Sequence, residues 1–291
     1  MSVTANLQRL ETNIEKMKVE STNSTNTLLQ ELVAKGEAPE YVYTDFQTEG
    51  RGQAGNKWES EAGKNLLCSI LLPADDEPFY LTVAVSVALH QVVANIIEKE
   101  TKEFATGHLA LDWVQEIPGF GTQDLTIKWP NDLYYKDYKL AGILIEASLC
   151  GNKMQHAIAG IGLNVNQTKW RSAAPNPISL KSVYRSITGK QKDYDIDELM
   201  EALYRELQKV LSRPRTIIWE RYKQILYRGK GGPWPFVERE VDMAPTMNAP
   251  KGTKGTFKAK IVGVLPTGEL MIQDEAGQTR TYHFKQIRYV L

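Results

Sequence analysis

Gly50-Arg51-Gly52-Gln53-Ala54-Gly55 satisfies the pattern G-x-G-x-x-G, and the fold turns on how that loop is read. In a doubly wound dinucleotide-binding fold a helix starts on such a loop, and its N-terminus holds the pyrophosphate. Here the loop runs through Asn56 to Asn65 into Leu66 to Leu72, a short apolar run of the kind that forms a buried strand. That leaves no room for a crossover helix, so the dinucleotide reading fails. Glycines that allow close backbone approach, beside Arg51 and Lys57, instead describe a mobile cationic loop suited to negative charge, with a plain surface turn as the other reading.

Outward from the loop, Tyr41 to Phe46 alternates as a strand. Upstream of it, Ser21-Thr-Asn-Ser24-Thr25-Asn26 precedes Leu28, Leu29, Leu32 and Val33, the apolar stripe of a helix. Capping explains one such polar residue and not six in a row. Asn6 to Met17 could form a short helix, and Lys18 to Glu20 a strand. Downstream, Val85, Leu89, Val92 and Ile96 recur at helical spacing and predict a buried helix over Phe79 to Ile97. The stretch from Thr106 to Asp124 reads as a surface loop. Leu125 to Trp129 is a strand stopped by Pro130. Ile143 to Leu149 and Met154 to Ile161 flank Gly151-Asn152 as a hairpin. Asp195 with Glu198 forms a capping box that opens an amphipathic helix carrying Leu199, Leu203, Leu207 and Val210. Beyond Gly232 the pattern becomes short strands, Phe257 to Val264, Glu269 to Gln273 and Thr279 to Phe284, whose lengths suit a small β-barrel. The expectation is an α+β domain over 1–230 followed by a β-module over 231–291.

Composition sets limits. The 291 residues carry 35 basic and 35 acidic side chains and no net charge, so no global field favours nucleic acid or an anionic membrane. The N-terminus lacks the apolar core of a signal peptide and the basic bias of a transit peptide. No stretch reads as a membrane span. Cys68 and Cys150 read as buried free thiols, and the scattered His90, His108, His156 and His283 suggest no metal cluster. These features point to a cytoplasmic protein.

Two further segments carry chemistry. Lys128-Trp129-Pro130-Asn131-Asp132 ends an apolar strand on a lysine. By itself this is either a surface lysine at a strand end or a buried cation, and a compact ammonium is a good point charge for a phosphate oxygen. Lys139-Leu-Ala-Gly142-Ile-Leu opens the next strand, with Gly142 placed to let a ligand lie against the backbone. Gly160-Ile-Gly162-Leu-Asn164-Val-Asn166 sets two asparagines at period two, on one face of a strand, where amides can pair with an adenine edge. A strand ending in a turn is the other reading of that segment.

Together and in this order, the Ser-Thr-Asn run, Gln47 to Trp58, the Lys-Trp-Pro-Asn-Asp segment, Lys139 to Leu144 and Gly160 to Asn166 resemble the biotin–protein ligases. The resemblance implies a class II synthetase-like catalytic domain with a small SH3-like C-terminal domain. It implies that ATP, with magnesium, activates biotin as biotinyl-5′-AMP, and that a lysine of a biotin carboxyl carrier protein then displaces AMP. Carried onto this sequence, it makes Lys128 and Arg51 the catalytic cations. Ser24, Thr25, Asn26, Gln47, Gly50, Arg51, Gly52, Lys128 and Gly142 become biotin contacts, and Arg51, Gln53, Trp58, Lys128, Asn131, Asn164 and Asn166 adenylate contacts. Trp58 matches the position that stacks on adenine. The doubled Ser-Thr-Asn admits two registers; Ser24 is preferred because it puts Leu28, Leu29 and Leu32 at the family's apolar positions. Gln53 stands where the family usually has arginine, which costs the loop one cation. About twenty residues precede the ligand motifs, too few for the winged helix of the repressor-type members. A lipoate ligase would be expected to lack the glycine loop, and a non-catalytic binder has no need of Lys128.

Overall fold

A computed structural model describes residues 16–109, 111, 115–116, 118–171, 176–238 and 256–290. Its first part runs β1 (Lys16–Thr22), α1 (Thr25–Lys35), β2 (Tyr41–Gln47), β3 (Leu66–Pro73), α2 (Pro78–Leu109), β4 (Leu125–Lys128), β5 (Asp132–Tyr135), β6 (Tyr138–Cys150) and β7 (Lys153–Leu163). Helices α3 (Leu180–Thr188), α4 (Ile196–Leu211) and α5 (Arg215–Gln224) follow, then β8 (Trp234–Glu238), β9 (Thr256–Val264), β10 (Leu270–Asp274), β11 (Thr279–Tyr282) and β12 (Ile287–Tyr289). The first seven strands form one sheet in the order β1-β2-β3-β7-β6-β5-β4, parallel between β1 and β2 and antiparallel elsewhere. The last five form an antiparallel sheet in the order β11-β10-β9-β8-β12, which fits the small SH3-like module.

Period-two alternation divides the large sheet into a core face and a working face. Leu66, Cys68 and Ile70 of β3, Ile127 of β4, Leu133 of β5, Ala141 and Ile143 of β6, and Ala159 and Ile161 of β7 join the main core with α2, α4 and α5. Their sequence neighbours Ser69, Lys128, Asp132, Tyr134, Gly142, Glu146, Gly160 and Gly162 therefore point the other way. That face also carries α1, through Leu29 packed with Val42 and Ile158.

Several expectations change. The helix expected to end at Ile97 continues to Leu109, so 106–109 is helical and not loop. Apolar periodicity fades there, but charged helix formers continue it, with Lys102 paired to Glu98 at 2.8 Å and the Thr101 hydroxyl donating to Ile97 O at 2.6 Å. Residues 110, 112–114 and 117 of the expected loop lie outside the described residues. So does most of the expected helix from Asn6, while Lys16 and Met17 belong to β1. Helix α2 is long and apolar enough to cross a membrane, contrary to the sequence reading, but its most apolar stretch is mostly buried inside the protein. Cys68 is buried and Cys150 is exposed, because Cys150 ends β6 at the hairpin tip beyond the core. The Gly151-Asn152 hairpin forms as expected, with Gly151 at φ 59°. Asp195 caps α4 by accepting from the amides of Asp197 (2.8 Å) and Glu198 (3.1 Å). Strands β8 and β12 were not anticipated; β12 is three residues long, too short to show a pattern.

Candidate active site

A cleft of about 1000 Å³ opens on the working face. It collects residues from every motif singled out in the sequence: Ser24, Thr25, Asn26, Gln47, Arg51, Gly52, Gln53, Trp58, Lys128, Asn131, Gly142 and Asn164 all line it. Two expected residues do not. Asn166 spends its amide on the Tyr194 backbone, donating to the carbonyl at 2.9 Å and accepting from the N–H at 2.9 Å. The period-two argument fails because β7 ends at Leu163, leaving both asparagines beyond the strand. Gly50 is not among the lining residues, and a Cβ there would come within 2.8 Å of Trp58 O.

The polar residues before α1 sit at one end. Ser24 occupies the N-cap position, but its buried hydroxyl makes no capping bond. The Ser24 register is the one that reaches the cleft; Ser21 and Thr22 finish β1. Gln47 Oε1 accepts from Thr25 N at 2.8 Å and from its hydroxyl at 3.1 Å. The Ser69 hydroxyl lies 2.7 Å from Thr25 Oγ1 and donates to Asn26 Oδ1 at 2.5 Å. Asn26 fits there because Gly160 has no side chain: a Cβ would collide with its amide.

The glycine loop is a small hairpin with a 3-10 turn over Gln53–Gly55, closed by an Arg51–Lys57 bridge and by Gly52 N donating to Asn56 O at 2.7 Å. It delivers Trp58 onto the sheet, where the indole covers Gly142 and Gly162. The space above Gly142, expected to face a ligand, is thus taken by Trp58 with Asp132 and Lys139 beside it. Trp58 Nε1 and Gln53 Oε1 are buried without a hydrogen-bond partner among the described residues.

Two lysines reach the same space. Lys128 lies directly opposite Asp132 in the β4–β5 ladder, yet the Asp132 carboxylate pairs with Lys139, at 2.7 Å. Lys128 Nζ donates instead to the Tyr134 hydroxyl at 3.0 Å and sits over the rings of Tyr134 (4.6 Å) and Tyr289 (5.4 Å). Burial pushes the Lys128 ammonium down to about 8; Asp132 opposes the shift, and Lys139 and Arg228 add to it. Lys139 also stands 5.6 Å over the Trp58 ring. At the cleft floor Asn131 donates to Ile143 O, and Asn164 donates to Ile178 O at 3.0 Å.

Sequence reasoning missed several contributors. Lys139 and Asp132 were quoted within motifs but given no role; a lysine and an aspartate flanking a glycine-bearing strand was the available signal. Ser69 and Glu146 sit among apolar residues in strands, and only their alternation with core positions marks them. Phe284, Lys285, Ile287, Arg288, Tyr289 and Val290 line the cleft from the C-terminal sheet. Trp129 Nε1 donates to Gly268 O at 2.9 Å and Arg228 to Val290 O at 2.7 Å, so both elements flanking Lys128 are tied to that sheet.

The sequence model of the biotin/lipoate A/B protein ligase family matches residues 19–164, about half of the chain and nearly all of the cleft floor. The bifunctional ligase/repressor BirA of Bacillus subtilis is 27% identical over 275 residues, covering 89% of this chain and 70% of that protein. The Escherichia coli protein of that name is 27% identical over 154 residues, covering 53% of this chain and 41% of its own. Among solved structures, the biotin protein ligase from Aquifex aeolicus in complex with biotin and ATP aligns with a TM-score of 0.65 at 21% identity, over 95% of this chain and 99% of that one. The Leishmania major biotin protein ligase in complex with biotin aligns with a TM-score of 0.59 at 20% identity, over 92% and 98%. At these identities the solved structures bear on the fold alone, and the fold they share is the expected catalytic domain with a small C-terminal sheet. With its ligand motifs gathered in one cleft and the family's sequence pattern running from Val19 to Asn164, this chain belongs to the biotin/lipoate A/B protein ligase family.

Proposed function

We propose that the chain is an ATP-dependent biotin–protein ligase. The observation that carries this reading is the pair of lysines sharing one cleft: Lys139 held by Asp132, and Lys128 partly desolvated with no carboxylate of its own among the described residues. Such a pair is suited to an anion that bridges both. Biotin's carboxylate oxygen attacks the α-phosphorus of ATP and pyrophosphate leaves, giving biotinyl-5′-AMP. The amine of a lysine on a biotin carboxyl carrier domain then attacks the acyl carbon and AMP leaves. Both steps gather negative charge on oxygens, so positioning and preorganised cations do most of the work.

Lys128, partly desolvated on the side of Tyr289, suits both biotin's carboxylate and the α-phosphate, where it would neutralise charge in both steps. Lys139, beside Trp58 and Gly142 and held by Asp132, suits the same phosphate or the departing pyrophosphate. Arg51, Gln53 and the loop amides close over the adenylate, with adenine packing near Trp58 and Asn164. Ser24, Thr25, Asn26 and Gln47 receive biotin's polar end. Magnesium enters this scheme as part of the ATP substrate. The described residues hold no group of three or more His, Cys, Asp or Glu side chains that could hold a metal ion, and of the two carboxylates lining the cleft, Glu59 and Asp132, the latter is occupied by Lys139. The reading includes a cytoplasmic site of action, where ATP is available and thiols such as Cys68 and Cys150 stay reduced.

The test is exchange of labelled pyrophosphate into ATP, with biotin, lipoate or no acid added, followed by transfer to a carrier domain. Biotin-dependent exchange and lysine labelling are expected. Exchange that needs lipoate instead, or none at all, overturns the reading.

A further inference from the structure

Glu146 lies on β6 in line with Gly142 and Leu144 on the working face, but it does not line the cleft. One of its oxygens, Oε2, accepts from two residues that do line it: Asn26 Nδ2 at 2.6 Å and Arg51 NH2 at 3.1 Å. The same Arg51 nitrogen reaches Thr27 Oγ1 at 3.3 Å. A carboxylate at neutral pH only accepts hydrogen bonds, so it decides which end of the Asn26 amide faces it. The Ser69 contact to Oδ1 agrees with that choice, and the missing Cβ of Gly160 makes the room for it. Both the amide's flip and its position are therefore fixed from behind. Arg51 is held in the same way at one nitrogen, and the fork of the guanidinium leaves its other donors for the cleft.

We propose that Glu146 is a positioning residue, which orients Asn26 and Arg51 toward the ligand and latches the glycine loop to the start of α1. The proposal rests on the ligase reading for what the ligand is, but the latch itself is a property of the protein alone. Charge matters here: a glutamine could hold one donor but would let the Asn26 amide turn over, and it would lose the charge-assisted contact to Arg51. The Arg51–Glu146 pair is partly exposed, at 42% and 26% for the two side chains, so salt weakens the latch.

Two readouts on the full chain test this separately. In the first, trypsin is added without biotin or ATP, and cleavage after Arg51 and Lys57 is followed by mass spectrometry. Glu146→Gln is expected to speed both cuts about threefold or more, and added salt to speed them in wild type but not in the variant. In the second, Glu146→Gln, Glu146→Asp and Arg51→Ala are compared in biotin-dependent pyrophosphate exchange. Glu146→Gln is expected to raise KM for biotin about tenfold with a much smaller change in kcat, and to add little when Arg51 is already alanine. Thermal unfolding within a few degrees of wild type shows that the variants are folded; Glu146→Asp, which keeps the charge, should recover part of the lost affinity if it folds. Unchanged trypsin cleavage in folded Glu146→Gln overturns the latch. Fully additive effects of Glu146→Gln and Arg51→Ala overturn the positioning role. A wild-type chain that exchanges no pyrophosphate with biotin overturns the ligase reading and leaves the trypsin result standing.

Discussion

Lys128 and Lys139 project from strands separated only by β5, and Asp132 between them attends to one. Replacing either with alanine removes a preorganised cation, which typically costs ~10²–10³ in rate. Pyrophosphate exchange by Lys128→Ala and Lys139→Ala should fall by at least that much with the fold intact; near-normal exchange in either would remove that lysine from the mechanism. Burial disfavours the charged form of Lys128, so its depressed value of about 8 means the cation is present below that pH and lost above it. kcat/KM, which reports the free enzyme, should therefore fall as pH rises through about 8. In Lys128→Arg, charged at all accessible pH, that alkaline limb should vanish; a limb that persists belongs to another group. Gln53 lines the cleft with Oε1 unpartnered among the described residues, and it brings no charge. Gln53→Arg is expected to slow dissociation of biotinyl-AMP about fivefold, the equivalent of ~1 kcal/mol for one strengthened hydrogen bond. Release of preformed adenylate after dilution measures this, and an unchanged off-rate would show that the position does not meet the ligand.

At the level of elements, the glycines of β6 and β7 are where the sheet accepts other parts of the chain. Gly162 admits the Trp58 indole, and Gly160 admits Asn26. Neither carries a left-handed φ, so space rather than backbone freedom makes glycine necessary. Gly162→Ala should drive Trp58 off the sheet and raise KM for ATP by about tenfold. Overpacking of this kind costs ~1–3 kcal/mol, readable as a lower midpoint in denaturant. An alanine variant with unaltered Trp fluorescence and KM would mean that the indole does not need this seat. The loop itself was expected to be mobile from its glycine content; the hairpin bridge and the Glu146 contacts give it a folded form at the cleft edge.

For the molecule as a whole, the C-terminal sheet is part of the site. Tyr289 approaches Lys128, Phe284 meets Trp129 edge-on at 6.3 Å, and the turn at Gly268 packs against Phe79. A chain cut after Pro233 should keep the large sheet and still bind biotin. It loses the partners of Trp129 and Lys128, so KM for ATP should rise and carrier labelling fall at least tenfold. Biotin binding by calorimetry beside a carrier-labelling assay distinguishes these. Normal labelling by the cut chain would make the small sheet a structural appendage. Phe284→Ala in the full chain serves as the milder version, since Phe284 is 40% exposed and its loss leaves the core filled.

Read alone, the sequence carries the α+β class, the hairpin at Gly151, the cap at Asp195, the strand-to-strand run that excludes a dinucleotide fold, and, of the fourteen expected site residues, the twelve that line the cleft. Each of these is local: alternation, capping chemistry and turn residues act within a few positions. The tertiary structure decided what depends on neighbours remote in the chain. Asn164 and Asn166 look alike in sequence, yet a strand ending at Leu163 turns one to the cleft and gives the other to Tyr194. Lys128 and Asp132 are ladder partners, yet the carboxylate reaches Lys139, because side chains on one sheet face choose among several neighbours. Residues 284–290 show no motif at all. They enter the site because Trp129 and Arg228 bond their sheet to the rim, a contact that no periodicity in either segment announces.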